Sequence, residues 1–574
     1  MVVDVLPRWE RYTYWIVGLS GMAYSVYALF LEGDSELQSS LSFQRTAKFI
    51  AQTIVTGWTW LGRYQDQSDR EFELWKSRHT VKILATIAHV MTSQICFYCK
   101  VRPQLHAYTL ITVDLTSAYI LLGGGPLAVL VFSAILIFVV SLAGKTWLVW
   151  SVAIAMMYYW DSMKVPWLTR YSSYYHFVVI AGFFNIRIVS FGLEKAKYRA
   201  SQAARASQSA RASVGPLEQS LSSAGSSGGQ NNPTDQENMA MIKNHEPTSL
   251  TQVPETGPLD SDPSLCDLLL YCFYWPTFHF GPILIYRGFH REIKQAMFSQ
   301  HFSPDTCDIL KQILRIAFWF VFLEFQAHFL YHNAIASNPA LFEQTTYSAV
   351  AGVGFWHGQY FMMKYVVFYG LASQICRFDG LSPVARPRCL SWVYSFADIW
   401  KCFDVGLYNF TKTHIYIPLG GSRAGILRQL FASGVGFTFI IFWHSLSLNT
   451  AILFMVNYLI NCLQVLAGEA EKGTLLKTLK SRVGPAMYLR IQVILAMHCY
   501  IIGGLIMSHF FFRETTGWKM TEQLFIRAPW TKVVMLCVVI TACIHNGMCA
   551  GQWYRERIQK LARSESRPQK QKSS

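Results

Sequence analysis

Long apolar runs separated by short polar breaks dominate the chain. The first, Tyr12 to Phe30, follows Arg8 and Arg11 and has no small-residue cleavage site, so it reads as an uncleaved membrane anchor. Residues 31–80 mix charges (Asp66, Asp69, Arg70, Glu71, Glu73, Lys76, Arg78) with Trp58, Trp60 and Trp75, a pattern that suits an interfacial loop or amphipathic helix. Runs of membrane length follow at 81–99, 105–122, 126–143, 146–160 and 173–193. Gly123, Gly124, Gly125 and Pro126 place a turn between two of them. The second half carries runs at 264–285, 308–333, 347–375, 425–445, 449–467, 485–511 and 529–551. A helix needs about 20 apolar residues to cross the bilayer, and several runs are short or broken by Gly and Pro. The pattern therefore predicts an all-α polytopic membrane protein with about ten spans plus re-entrant pieces.

Between the halves, residues 200–262 turn to Ser, Ala, Gln, Asn, Gly and Pro. Such a stretch buries too little to offset the entropy of ordering it. The expected organisation is N-terminal membrane helices over 1–193, a disordered cytosolic linker over 194–263, a catalytic core over 264–551 and a basic cytosolic tail over 552–574.

Composition agrees with a membrane body. Hydrophobic residues make up 52% of the 574 positions and charged residues only 15%, which leaves too little polar material to coat several water-soluble domains. The net charge of +16 is concentrated in two places. The tail has Arg555, Arg557, Lys560, Arg563, Arg567, Lys570 and Lys572, and a second stretch has Lys195, Lys197, Arg199, Arg205 and Arg211. Basic clusters beside apolar runs fit the positive-inside rule and attraction to anionic membrane lipid. No motif for binding nucleic acid accompanies them. The 13 cysteines form no regular framework, and the Cys96/Cys99 pair lacks the second pair of a zinc site.

Polar residues inside apolar runs mark either buried pairs or a cavity, because leaving them in lipid is costly. The first half offers Asp114, Asn185 and Arg187. The second offers His279, Glu324, His328, His332, His357, Lys364, Asp404, Asn409, His414 and His444, so the cavity is expected mainly there. His444 lies in FTFIIFWHS (437–445) with no charge within a helical turn. Asp404 lies in WKCFDVGLYNF (400–410), ahead of YIPLGGS (416–422), where Pro418, Gly420 and Gly421 interrupt a helix. Irregular backbone at membrane depth is tolerated only in protein or along a cavity. Taken singly, His444 reads equally well as a core histidine bonded to a carbonyl, and Asp404 as an ion-pair partner of Lys401 or Lys412.

PTFHFGPIL (276–284), RFDGLSP (377–383), WKCFDVGLYNFTKTHIYIPLGGS (400–422) and FWHS (442–445) together resemble the membrane-bound O-acyltransferase family, and within it the Hedgehog acyltransferase branch. The resemblance extends to LPRWE (6–10) and excludes the low-complexity linker. It implies a multipass endoplasmic reticulum enzyme that moves palmitate from palmitoyl-CoA to the N-terminal cysteine amine of a secreted Hedgehog-type signal, with Golgi residence as the alternative. It places the catalytic histidine on His444, its acidic partner on Asp404 and a tunnel-lining tryptophan on Trp400, and Asn409 joins Trp400 as an expected substrate contact. It also implies Cys389, in RPRC (386–389), as a thiolate ligand of haem b, although acyl transfer itself requires no cofactor. Ser445 stands where the branch carries Gly, and Thr413 with His414 replaces a basic residue before YIP. Lys401, Lys412, Arg423 and Arg428 are candidate contacts for the CoA head. The alternatives are O-acylation of a protein serine or a lysophospholipid, a noncatalytic relative, and a transporter. Against a transporter stands the lack of an inverted repeat between the halves.

Overall fold

In the computed structural model of the chain, the described residues are 5–40, 53–162, 174–214, 259, 261–299, 302–382, 384, 386–389, 391, 395–444, 446–512 and 514–565. The fold is helical apart from one two-stranded hairpin among these residues. The helices are α1 (Arg8–Ser40), α2 (Arg70–Lys76), α3 (His79–Tyr98), α4 (Pro103–Leu122), α5 (Gly124–Ser141), α6 (Thr146–Ser162), α7 (Tyr174–Val214), α8 (Leu265–Phe273), α9 (Trp275–Phe278), α10 (Tyr286–Phe298), α11 (Thr306–Gln326), α12 (His332–Ser337), α13 (Pro339–Gln344) and α14 (Tyr347–Cys376). They continue with α15 (Phe396–Phe403), α16 (Val405–Thr411), α17 (Ile426–His444), α18 (Leu448–Ala470), α19 (Thr474–Val483), α20 (Pro485–Phe511), α21 (Glu514–Thr521) and α22 (Trp530–Glu565).

Among the described residues, 9 helices are long and apolar enough to cross a membrane: α1, α3, α4, α5, α7, α17, α18, α20 and α22. The protein is an integral multi-pass membrane protein. Two expected spans take another form. The run 264–285 divides at Tyr274, because Pro276 sits in the first turn of a new short helix, where its missing N–H costs nothing. The run 308–333 ends its helix at Gln326 and turns into α12. α14 carries His357, Lys364 and Gln374 and is buried along much of its length, packed against α1 and α11.

The interfacial stretch contains strands β1 (Ile54–Thr56) and β2 (Tyr64–Asp66), antiparallel with Val55 opposite Gln65. They dock on the turn after α11: Asp66 N donates to Ala327 O at 2.9 Å, Tyr331 Oη to Tyr64 O at 2.9 Å, and Trp58 N to His328 Nε2 at 3.0 Å.

Of the expected linker 194–263, residues 194–214 are helical as the end of α7, and residues 215–258 and 260 lie outside the described set. Two members of the adjacent basic stretch are not simply solvated. Lys195, buried, donates to Asp262 Oδ1 at 2.9 Å and Pro263 O at 2.6 Å, and Arg199 pairs with Asp262 at 2.6 Å. These contacts bring the two ends of the low-complexity segment together.

Candidate active site

The segment after α14 is built from short, interrupted pieces. α15 stops at Phe403, and Asp404 adopts φ −116° and ψ 86° and caps α16 by accepting from Leu407 N at 2.8 Å. Such a cap satisfies an N–H that has no partner within the helix. A wide turn over Lys412–Tyr416 follows, and Gly420 (φ +103°) reverses the chain into α17. Gly406 fits α16 against the PTFHFGPIL segment: a Cβ there would lie 2.4 Å from Ile283 O.

α17 ends in Trp443 and His444, and the two side chains do different work. Trp443 Nε1 donates to Gly182 O at 2.9 Å and fastens α17 to α7. His444 turns its ring into open space, stacked on Phe454 (centroids 5.2 Å, planes 20° apart) and edge-on to Phe510 at 5.8 Å. That space is a largely apolar cavity of about 2280 Å³, lined by residues of α1, of α7 and of α14 to α22. It is larger than the roughly 300–1,000 Å³ of an ordinary small-molecule pocket, as a site for a long chain together with a second substrate requires.

His444, Asp404 and Trp400 all line this cavity. Tyr369 Oη donates to Asp404 Oδ2 at 2.9 Å, so both carboxylate oxygens are engaged; among the described residues no hydrogen bond joins Asp404 to His444. Trp400 Nε1 donates to Oδ1 of the fully buried Asn457 at 3.1 Å, and its ring packs on Phe454 at 5.6 Å. Asn409 does not join them: it is buried on α16 and is not part of the cavity lining. Lys401 and Lys412 reach the lining, Lys401 paired with Asp398 at 3.1 Å, whereas Arg423 and Arg428 are exposed outside it. Ser445 lies outside the described residues.

Cys389 packs as a part-buried neighbour of the main apolar core and is not in the cavity lining; among the described residues no group of three His, Cys, Asp or Glu could hold a metal. A haem thiolate needs an open slot the size of the ring at its sulfur. Pro383, Ala385, Leu390 and residues 392–394, which flank Cys389, lie outside the described residues.

Most other intramembrane polar residues are held in pairs away from the cavity. Asp114 accepts from His89, Glu324 from Lys76 and Gln65, and the guanidinium of Arg187 donates to Cys272 O at 3.2 Å and to Thr277 O. Lys364 pairs with Asp69 at 2.8 Å and Glu71 at 2.7 Å, and His414 meets Ser190 at 3.2 Å. His357 alone of this group reaches the cavity. Sequence reasoning missed Tyr369 and Asn457. Asn457 carried a usable signal, as an amide inside the run 449–467, whereas Tyr369 resembles any core tyrosine.

Mouse "Protein-cysteine N-palmitoyltransferase HHAT" is 37% identical over 177 residues, covering 31% of this chain and 35% of that protein. Mouse "Protein-cysteine N-palmitoyltransferase HHAT-like protein" is 24% identical over 446 residues, 77% of this chain and 75% of its own. Baker's yeast (Saccharomyces cerevisiae) "Membrane-bound O-acyltransferase GUP1" is 27% identical over 189 residues, 33% of this chain and 32% of that protein. The match to mouse HHAT thus spans about a third of that relative's length. The model of the MBOAT, membrane-bound O-acyltransferase family, matches residues 63–509, which contain the whole wall from Tyr369 to His444, and the chain belongs to that family.

Proposed function

We propose that the protein transfers palmitate from palmitoyl-CoA to the N-terminal cysteine amine of a secreted Hedgehog-type protein, in the endoplasmic reticulum membrane. The observation that carries this reading is His444 standing open on an apolar cavity wall that also holds Asp404 and Trp400. The similarity to mouse HHAT supports the choice of acceptor.

The apolar cavity shelters the acyl chain, which would otherwise cost about 0.8 kcal/mol per exposed methylene. The amine nitrogen attacks the thioester carbonyl carbon, the C–S bond breaks, and CoA leaves as thiolate. The amine proton passes to the free nitrogen of His444 and from there to the departing thiolate. An N-terminal amine of ordinary pKa near 7.7–8.0 is partly neutral already, so a histidine is base enough. Asp404, held by Tyr369 and by the first turn of α16, fixes the wall opposite the attacking group, and Trp400 flanks the chain. Asn409 is buried beside the cap and outside the cavity lining.

The test is incubation of detergent-purified protein with labelled palmitoyl-CoA and a peptide beginning with Cys, its amine free or acetylated. Label is expected on the free amine only; equal labelling of the acetylated peptide rejects N-acylation. Similarity to GUP1 favours a second reading, O-acylation, and preferential label on a Ser peptide or a lysophospholipid in the same assay would establish it.

A further inference from the structure

The ten-residue helix α19 buries none of its residues, although it sits between two membrane-crossing helices. Leu475 is 83% exposed and Leu479 44% exposed. At 100° per residue, Leu475, Leu479, Val483 and Leu476 fall on one continuous apolar arc. Arg482 and Lys480 flank that arc on either side, with Lys477 beyond Lys480, and the helix carries no acid. Basic side chains bordering an apolar stripe are the arrangement of a helix lying in a bilayer interface.

The covalent frame decides what can cover this face. Three residues separate Ala470 at the end of α18 from Thr474, four chain steps with a reach of at most about 14 Å. At the other end the single residue Gly484 (φ +81°) turns the chain directly into α20. The leucines are therefore held beside the end of α18 and the start of α20.

The leaflet follows from the neighbouring contacts. Arg490 donates to Glu10 Oε1 at 2.8 Å, Tyr488 Oη to Glu471 at 2.8 Å, and Asn546 Nδ2 to Tyr14 O at 3.0 Å. The start of α1, the start of α20, the end of α18 and the C-terminal part of α22 thus share one end of the bundle. That end carries Arg8, Arg11, Arg555 and Arg557 besides the α19 cations, which makes it the cytosolic one. Leu476 and Leu479 also line the large cavity, so α19 forms part of its cytosolic mouth.

We propose that α19 is a binding site for anionic phospholipid of the cytosolic leaflet: Leu475 and Leu479 insert among the acyl chains, Lys477, Lys480 and Arg482 take the headgroup phosphates and carboxylates, and the bound lipid holds the cytosolic mouth of the cavity. This differs from attraction of the basic tail to the membrane, because the site is a folded helix that also walls the cavity.

The experiment is hydrogen–deuterium exchange of the full chain in nanodiscs of phosphatidylcholine alone or with added phosphatidylserine, which needs no acyl transfer and so stands apart from the catalytic reading. Amides of Thr474–Val483 are expected to gain protection with phosphatidylserine, and the gain is expected to vanish in the triple variant Lys477→Glu/Lys480→Glu/Arg482→Glu. Protection across α18 and α20 in that variant reports that it is folded. Equal exchange in both discs for the wild type, or an undiminished gain in the variant, overturns the proposal. Protection that appears only on adding cytosol also overturns it and assigns the face to a protein.

Discussion

Two kinds of polar site lie within the apolar body, and they differ in what their side chains face. In the first, His89 bridges Asp114 (Nδ1 to Oδ1, 2.7 Å) and Asp379 (Nε2 to Oδ2, 2.9 Å), Asp379 also accepts from Tyr274 Oη, and Lys364 is clasped by Asp69 and Glu71. The His89–Asp379 link and both links of Lys364 join the first half of the chain to the second. In the other, on the cavity wall, His444 has aromatic neighbours and open space. A buried charge that is fully paired holds helices in register, while a polar group aimed at a void is available to a substrate. Intramembrane polarity alone does not separate the two, and neither does partnership: Asn185 and His332 are buried away from the cavity with no hydrogen-bond partner among the described residues, whereas Asp404 is fully bonded and lines it.

The largest expected effect breaks a pair. Lys364→Met leaves the part-buried Asp69 and Glu71 without their buried cation and is expected to cost up to about 3–5 kcal/mol of stability, read from denaturation in detergent. Burial pushes the Asp69 carboxyl up, but the charge and hydrogen bond of Lys364, with help from Phe72 N, outweigh it and hold the pKa below its usual value. A lowered carboxylate pKa contributes stability above the unfolded value, about 3.9, and loses it as pH falls through the folded one. The deficit of the variant should therefore be full at neutral pH and shrink below about pH 4. A deficit that does not change with pH would show that the cluster is not held by charge.

On the cavity side, His444→Ala should leave the melting curve in place and lower acyl transfer by a factor on the order of 10² or more. Full turnover by that variant would remove His444 from the chemistry. Tyr369→Phe sits between the two classes, since it packs like a core residue yet holds Asp404. Loss of a hydrogen bond to a charged group, about 1.5–3 kcal/mol, is expected to appear as a fall in kcat of roughly tenfold or more, with little change in KM for acyl-CoA. The reverse pattern would make Tyr369 a binding residue.

How much of this the sequence could reveal depended on length and on partners. The runs 485–511 and 425–445 became α20 and α17 almost to the residue, because each is an uninterrupted apolar helix that begins beside a left-handed glycine, Gly484 or Gly425. The strands at 54–56 and 64–66 are three residues each, too short for alternation to register, and they exist because the turn after α11 supplies bonding partners far along the chain. At the site, the family motif and the intramembrane filter agreed on Asp404 and His444, which share the cavity wall. The same filter chose Asp114, Arg187 and Lys364 with equal force and passed over His89, since nothing local shows that a residue about 290 positions away supplies its second carboxylate. Asn409 was carried by its place in the motif, but it falls on the buried side of α16 while Asp404 caps the end.

Asn457 gives the finest test of the same distinction, because it is a paired polar group whose partner lines the cavity. Its Oδ1 accepts from Trp400 and its Nδ2 donates to Leu453 O at 2.6 Å, so the amide holds the indole in one orientation against Phe454. Asn457→Leu removes one neutral hydrogen bond, about 1 kcal/mol, and is expected to raise KM for palmitoyl-CoA severalfold while kcat changes little. If the amide acts through Trp400, the effect must disappear in a Trp400→Phe background, where the donor is already gone and the double variant matches the Trp400 single variant. Additive losses would instead mean that Asn457 stabilises α18 on its own account, and the cavity wall would then begin at Trp400 without any support behind it.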